Sequence, residues 1–201
     1  CGEDVSRKTP GEIRRRGVSF IPEDRMTTGV DGKASVAENL LVGKQRRPEF
    51  SLLGGLHLRR RQVKKYAAEQ AKKFDIRMSG VDDPVSSLSG GNMQKVVIAR
   101  EFSFDSPVLV VSQPTRGVDI GAIEFIHEHI MQKRNEGCAI LLISADLDEL
   151  FRLSDRLVTL YEGQITGSFQ TETITREEIG YYMTGGVKDE ESAAKEELRH
   201  G

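Results

Sequence analysis

Apolar residues fall into two rhythms along this chain, and the rhythm changes near Pro107. Before it, they recur at helical spacing. Ser35-Val36-Ala37-Glu38 carries the serine and glutamate of a capping box, which predicts a helix running through Leu40 and Leu41. Val63, Tyr66, Ala67, Ala71 and Phe74 share one face of a longer helix expected from about Leu58 to Asp75. Val18 to Ile21, halted by Pro22, reads as a short strand, and residues 26–33, with Gly29 and Gly32, read as a turn-rich segment. Residues 79–90 read as loop, and a helix is expected from Gly91 to about Ser103.

After Pro107 the apolar residues run together. Val108 to Val111 and Ala139 to Ile143 are continuous apolar segments of strand length, the pattern of strands buried on both faces of a parallel sheet. Between them, Ile123, Ile126 and Ile130 form the stripe of a helix from about Gly121 to Glu136, ended by Gly137. Leu147, Leu150 and Phe151 mark a further helix. Leu157 to Tyr161, Glu162-Gly163 and Gln164 to Phe169 predict a hairpin, and a last short helix covers about Arg176 to Met183. Strands alternating with helices place the chain in the α/β class.

The 201 residues suit one domain with room for a subdomain. No apolar run approaches the roughly 18 residues of a membrane-spanning helix. The opening Cys1-Gly2-Glu3-Asp4 lacks the basic start and apolar stretch of a signal peptide. Cys1 and Cys138 are too few for a disulfide framework or a cysteine zinc site, so a reducing cytoplasm is expected. The net charge of −2 conceals an asymmetry: residues 1–78 carry 18 Lys and Arg against 10 Asp and Glu, and residues 79–201 carry 11 against 21. With no aromatic residues interleaved among the basic runs, this reads as a solvated basic helix and an acidic tail, and no nucleic-acid partner is expected.

Candidate chemistry concentrates in Leu88-Ser89-Gly90-Gly91-Asn92-Met93-Gln94-Lys95. A serine and two glycines at a helix start leave backbone N–H groups unpaired and let a ligand approach the backbone, and the helix dipole adds positive charge, which suits a phosphate. A serine cap on a glycine-rich turn has the same composition, so the neighbouring segments decide. His57, His127, His129 and His200 are scattered and read as helix-surface residues. Asp146, Asp148 and Glu149 cluster at a helix start, where capping explains them, and no metal site is expected.

The signature-like segment is followed by a buried strand, then Gln113-Pro114-Thr115-Arg116-Gly117-Val118-Asp119, a helix, a second strand and Ile143-Ser144-Ala145-Asp146. This succession resembles the ATP-binding cassette family over roughly residues 1–185. Leu88 to Lys95 matches the signature, Gly117-Val118-Asp119 the D-loop, residues 143–146 the switch region, and Ile21-Pro22-Glu23-Asp24-Arg25 the Q-loop segment, with Glu23 in the glutamine's place. The Pro-Glu-Asp-Arg form resembles the second half of the tandem ATPase subunits of bacterial sugar and nucleoside importers.

The resemblance implies a P-loop NTPase-like core in residues 1–33 and 87–185, a helical subdomain in 34–86 and a flexible charged tail in 186–201. It also exposes departures. No G-x-x-x-x-G-K-[ST] string occurs; the near match Gly29 to Ala34 is too short and reads as a surface turn, and the chain is expected to begin downstream of the Walker A position. Ser112 and Gln113 stand where the family places a magnesium-ordering Asp and a water-polarising Glu, and Ala145 replaces the switch histidine.

The resemblance therefore implies a half that lends its signature residues Leu88, Ser89, Gly90, Gly91, Asn92, Gln94 and Lys95 to ATP and Mg2+ held with an N-terminal cassette half. Its own site would be silent, and the isolated chain would be inactive. Further implied partners are membrane permease subunits and, indirectly, a solute-binding protein, with the chain peripheral on the inner membrane face. The solute stays open among pentoses, hexoses, nucleosides and related polar molecules. A non-transport cassette ATPase and a regulatory nucleotide-binding module are the alternatives.

Overall fold

The computed structural model describes residues 2–186. It divides after Ala145 into two compact units. The first opens with α1 (Pro10–Arg15), a helix absent from the sequence reading; Thr9 and Glu12 form a reciprocal capping box that starts it. Strand β1 (Val18–Ile21) follows, then a π-helical turn (Arg25–Gly29) in which the Asp24 carboxylate accepts from Met26 N at 2.8 Å and Thr27 N at 3.1 Å. The Thr27 hydroxyl also donates to this carboxylate at 2.6 Å, and that bond first, then the two backbone ones, holds the Asp24 carboxyl below the usual carboxylate range. The expected surface turn over 29–34 is corrected at its start. Gly29 is buried against Val97, and its carbonyl accepts from Arg100 Nη1 at 2.8 Å.

Helix α2 (Val36–Leu41) carries the anticipated capping box of Ser35 and Glu38. Two strands of two residues each, β2 (Ser51–Leu52) and β3 (His57–Leu58), pair antiparallel in a stretch where the apolar pattern predicts no element, and α3 covers Arg60–Lys73 within the helix expected from about Leu58 to Asp75. Helix α4 (Gly90–Phe102) leads to β4 (Val108–Ser112), α5 (Ile120–Asn135) and β5 (Ala139–Ile143).

β1, β4 and β5 form a parallel sheet in that order, with Phe20, Val110 and Leu141 in register. Helix α4 packs against β1, α2 and α5. Its residues from Met93 to Phe102 are all buried, beside Ile21, Leu109, Val111, Leu40 and Ile126. Each such aliphatic side chain contributes about 1.5–3 kcal/mol of transfer free energy. Charged groups inside this helix are paired: Glu101 meets Arg100 Nε at 2.8 Å and Arg14 Nη1 at 3.0 Å, tying α1 to α4.

The other face of the sheet departs from expectation. Val108 and Val110 are half-buried, and Leu141 and Ile143 are 57% and 48% exposed, because the described residues lay a helical layer over only one side. His127 also departs from the surface reading: it is buried one turn from Ile123 and Ile130. His129 is half-buried, with its ring 5.2 Å from Phe74 and 4.0 Å from Phe125.

The second unit contains α6 (Leu147–Leu153), β6 (Arg156–Tyr161), β7 (Gln164–Gln170) and α7 (Arg176–Met183). Asp146 caps α6 by accepting from Asp148 N and Glu149 N. The predicted hairpin forms, with Glu162 and Gly163 both at positive φ, the conformation that a tight two-residue hairpin turn demands. Leu157, Ile179 and Tyr182 form its core. The expected tail lies, from residue 187, outside the described residues. Among these, no helix is long and apolar enough to cross a membrane.

Candidate functional site

Ser89 takes the extended backbone of an N-cap, and its Oγ accepts from Asn92 N at 3.4 Å and Asn92 Nδ2 at 2.9 Å, which starts α4 at Gly90. The serine is exposed, Gly90 half-buried and Gly91 buried. Both glycines are demanded by close approach. A Cβ at Gly90 would lie 2.7 Å from Arg25 Nη2, and one at Gly91 would lie 2.9 Å from Asp119 Oδ2 and 3.3 Å from Ala122 Cβ.

Two separate segments meet at this helix start. Arg25 Nη1 donates to the Arg116 carbonyl at 2.7 Å, and Nη2 donates to the Gly117 carbonyl at 3.1 Å. Glu23 forms an ion pair with Arg116. Asp119 caps α5, its Oδ1 accepting from Ala122 N at 2.9 Å, while half-buried Val118 precedes it. The Q-loop-like and D-loop-like segments are therefore laced together beside the signature. A guanidinium and the positive end of a 13-residue helix point the local field toward an anion. Ser89 and Gly90 can face that anion; Leu88 is buried beneath them.

Three residues expected alongside them serve the packing. Asn92 Oδ1 accepts from Arg77 N at 2.7 Å, Gln94 is buried, and Lys95 Nζ donates to the Asp75 carbonyl and carboxylate, each at 2.9 Å. The Lys95 hydrogen bond holds the Asp75 carboxyl below its usual range. The Lys95 ammonium also lies 4.5 Å from the centre of the Phe125 ring. Arg25 was visible only as part of a string; its contacts span more than ninety residues, and no local pattern announces them.

The ends of β4 and β5 are built differently. Gln113 adopts a left-handed backbone, φ 48°, which is costly for a residue with a side chain. Its N–H donates to the Ile143 carbonyl at 2.8 Å, and its Oε1 accepts from Ala145 N at 3.2 Å. Gln113 thus meets Ala145 next to Ser112, and none of the three supplies a carboxylate or an imidazole. This trio does not fit a divalent metal, which prefers anionic oxygen ligands. Among the described residues, no group of three His, Cys, Asp or Glu could hold one.

Among solved structures, a nucleotide-free ATP-binding cassette from an ABC transporter aligns over 90% of this chain and 70% of that one, with 24% identity and a TM-score of 0.65. The chain has the fold of an ATP-binding cassette. A dimeric post-hydrolysis state of the cassette MJ0796 bound to ADP and Pi aligns over 81% of this chain and 66% of that one, with a TM-score of 0.64 and 20% identity. Among curated proteins, this chain is similar to the nucleoside import ATP-binding protein NupA of Lactococcus lactis subsp. cremoris, 42% identical over 92% of this chain and 36% of that protein. It is also similar to the guanosine import ATP-binding protein NupO of Bacillus subtilis, at 35% over 96% and 38%. The ribose import ATP-binding protein RbsA 2 of Rubrobacter xylanophilus matches at 38% over 98% and 37%. The chain thus spans little more than a third of the length of these relatives. No family model matches it.

Proposed function

We propose that this cassette is the second half of the ATP-binding subunit of an importer for nucleosides or simple sugars, donating its signature to a nucleotide held mainly by another cassette half. The observation that carries this reading is the contrast within the first unit: an intact helix start with Ser89 exposed and Gly90 half-buried, and strand ends without acid or base. The names of the relatives support the importer class.

In this reading the Ser89 hydroxyl and the leading N–H groups of α4 donate to a terminal phosphate on the facing half. Arg25 keeps that helix start in register with residues 116–119. ATP supplies the transferable phosphoryl group and the free energy of its cleavage. Preorganised donors of this kind act by stabilising charge that grows on phosphate oxygens, and removing one costs roughly 2.7–4 kcal/mol in a comparable oxyanion site. Gln113 cannot take a proton from water, and Ser112 cannot replace an anionic metal ligand, so the cassette's own core turns nothing over.

The other cassette half, permease subunits and a solute-binding protein complete the assembly, with this chain on the inner membrane face. Residues 34–86 form the permease-facing subdomain, with Glu23 coupling it to the core. The test is equilibrium binding and steady-state hydrolysis of Mg-ATP by the 201-residue chain. The reading expects a Kd no tighter than about 1 mM, or about −4 kcal/mol, and no turnover above buffer. Micromolar binding with turnover would overturn it.

A further inference from the structure

The β2–β3 hairpin is used neither by the signature nor by the strand ends. Its two short strands pair Ser51 with Leu58 and Leu52 with His57, and Gly54 and Gly55, at φ 66° and 110°, turn the chain between them. This turn presents Leu56 with 83% of its surface exposed, and Leu52 and Leu58 are exposed beside it. So small a hairpin cannot bury these side chains itself.

The surroundings of the tip are strongly cationic. Residues 42–65 contain eight Lys and Arg and a single acid, Glu49. Lys44 is buried, and the other seven cations are exposed. Arg47 reaches Glu49 at 3.9 Å, Lys64 reaches Asp82 at 2.7 Å and Lys65 reaches Glu69 at 3.9 Å. Arg46, Arg59, Arg60 and Arg61 form no ion pair among the described residues.

Arg46 lies along the turn, its Cγ 3.4 Å from the position of a Cβ at Gly55, at the edge of an open hollow of about 660 Å³ shared with Gly43, Gln45, Gly54 and Leu56. That hollow is lined by glycine backbone and polar side chains with one leucine, so it offers no apolar floor to an amphipathic helix. An exposed apolar turn flanked along the chain by guanidinium groups with no ion pair among the described residues matches a different partner. Acyl chains take the leucines, and anionic headgroup phosphates take the arginines.

We propose that the β2–β3 hairpin is a docking element for an anionic lipid surface, with Leu52, Leu56 and Leu58 entering the headgroup–acyl boundary and Arg46, Arg59, Arg60 and Arg61 pairing with phosphates. This goes beyond the transport reading and does not depend on nucleotide, so the two fail separately.

The test is co-sedimentation of the 201-residue chain with phosphatidylcholine vesicles, with and without about 30% phosphatidylglycerol, at 0.1 M and 0.5 M salt. The chain is expected to bind only the anionic vesicles and to be released at the higher salt. Reversing Arg59 and Arg61 to Glu should lower partitioning at least tenfold, and Leu56→Ser about fivefold, with circular dichroism unchanged because all three side chains are exposed. Leu141→Ser, on the exposed sheet face, should bind like the parent chain. Equal binding to neutral vesicles would overturn the proposal. So would an equal loss from Leu141→Ser, which would mean adsorption through the sheet. Absence of binding to either vesicle would also overturn it, leaving the hairpin to a protein partner.

Discussion

The start of α4 and the ends of β4 and β5 are two polar sites in the same unit, and they are stabilised in opposite ways. At the helix start, small residues let large charged ones approach: Arg25 and Asp119 close on Gly90 and Gly91, and the exposed groups are donors. At the strand ends, a strained Gln113 turns its amide onto the backbone of Ala145, so its acceptor oxygen is spent within the protein. One site keeps its hydrogen-bonding capacity directed outward and the other has closed it inward. The phosphate-directed role we propose rests on the first.

The sharpest way to break this comparison is Ser89→Ala. In the isolated chain it removes an N-cap and should cost about 1 kcal/mol in urea denaturation. In an assembled transporter it should lower ATP turnover about 100-fold, equivalent to about 2.7 kcal/mol, because a phosphate donor is lost as well. If turnover fell only in proportion to the loss of folded protein, the serine would be a cap and nothing more. Gly91→Leu tests the same site from inside. Its side chain would have to displace Asp119 and Ala122, and a destabilisation of about 2 kcal/mol is expected from overpacking. An unchanged midpoint would show that the contact between α4 and α5 is slack.

Much of this organisation is legible in the chain, and the parts that are not share a cause. Ser35 and Glu38 announce α2 because apolar residues follow them directly. Thr9 and Glu12 form the same box, but the arginines after them conceal a helix whose partner, Glu101, is some ninety residues away. The stripe of Ile123, Ile126 and Ile130 could have placed His127 inside, since it stands four residues after one member and three before another. The apolar runs in β4 and β5 identify strands correctly but imply layers on both faces, and among the described residues one face stays open. Arg25, the residue that joins the signature to the D-loop-like segment, depends wholly on tertiary contacts.

The far end of α4 supplies a control in which polarity is buried without serving the candidate site. Lys44 is 1% exposed, donates to the Arg100 carbonyl at 3.3 Å and lies 3.9 Å from the centre of the Phe104 ring. Burial, reinforced by the positive charges of Arg47, Arg100 and Arg14 and opposed by Glu101, pushes its pKa down to about 7. The unfolded chain keeps the ordinary lysine value of 10.5, so it binds the proton more tightly than the folded one. The penalty is therefore complete below about pH 7 and lifts as pH rises toward 10.5. Lys44→Met should stabilise the chain by about 1–3 kcal/mol at pH 6, with a gain that shrinks by pH 9.5. Urea denaturation across that range checks it, and a pH-independent difference would mean the ammonium is solvated.

The smallest expected effect is also the most discriminating. Gln113→Glu restores a carboxylate where the cassette family places its water-polarising residue, and it keeps an oxygen for the Ala145 N–H. The left-handed backbone is common to both side chains, so its strain cancels in the comparison. A charge-assisted hydrogen bond strengthens the contact, while partial desolvation of the new carboxylate offsets it, and stability should change by no more than about 0.5 kcal/mol. Hydrolysis by the isolated chain should still be undetectable, because Ser112 provides no anionic oxygen for a metal and, in the proposed reading, the signature serves a nucleotide held by another half. Turnover gained from this one substitution would mean that the strand-end site is complete but for its base, and the distinction between an outward-directed site and a closed one would fail at that point.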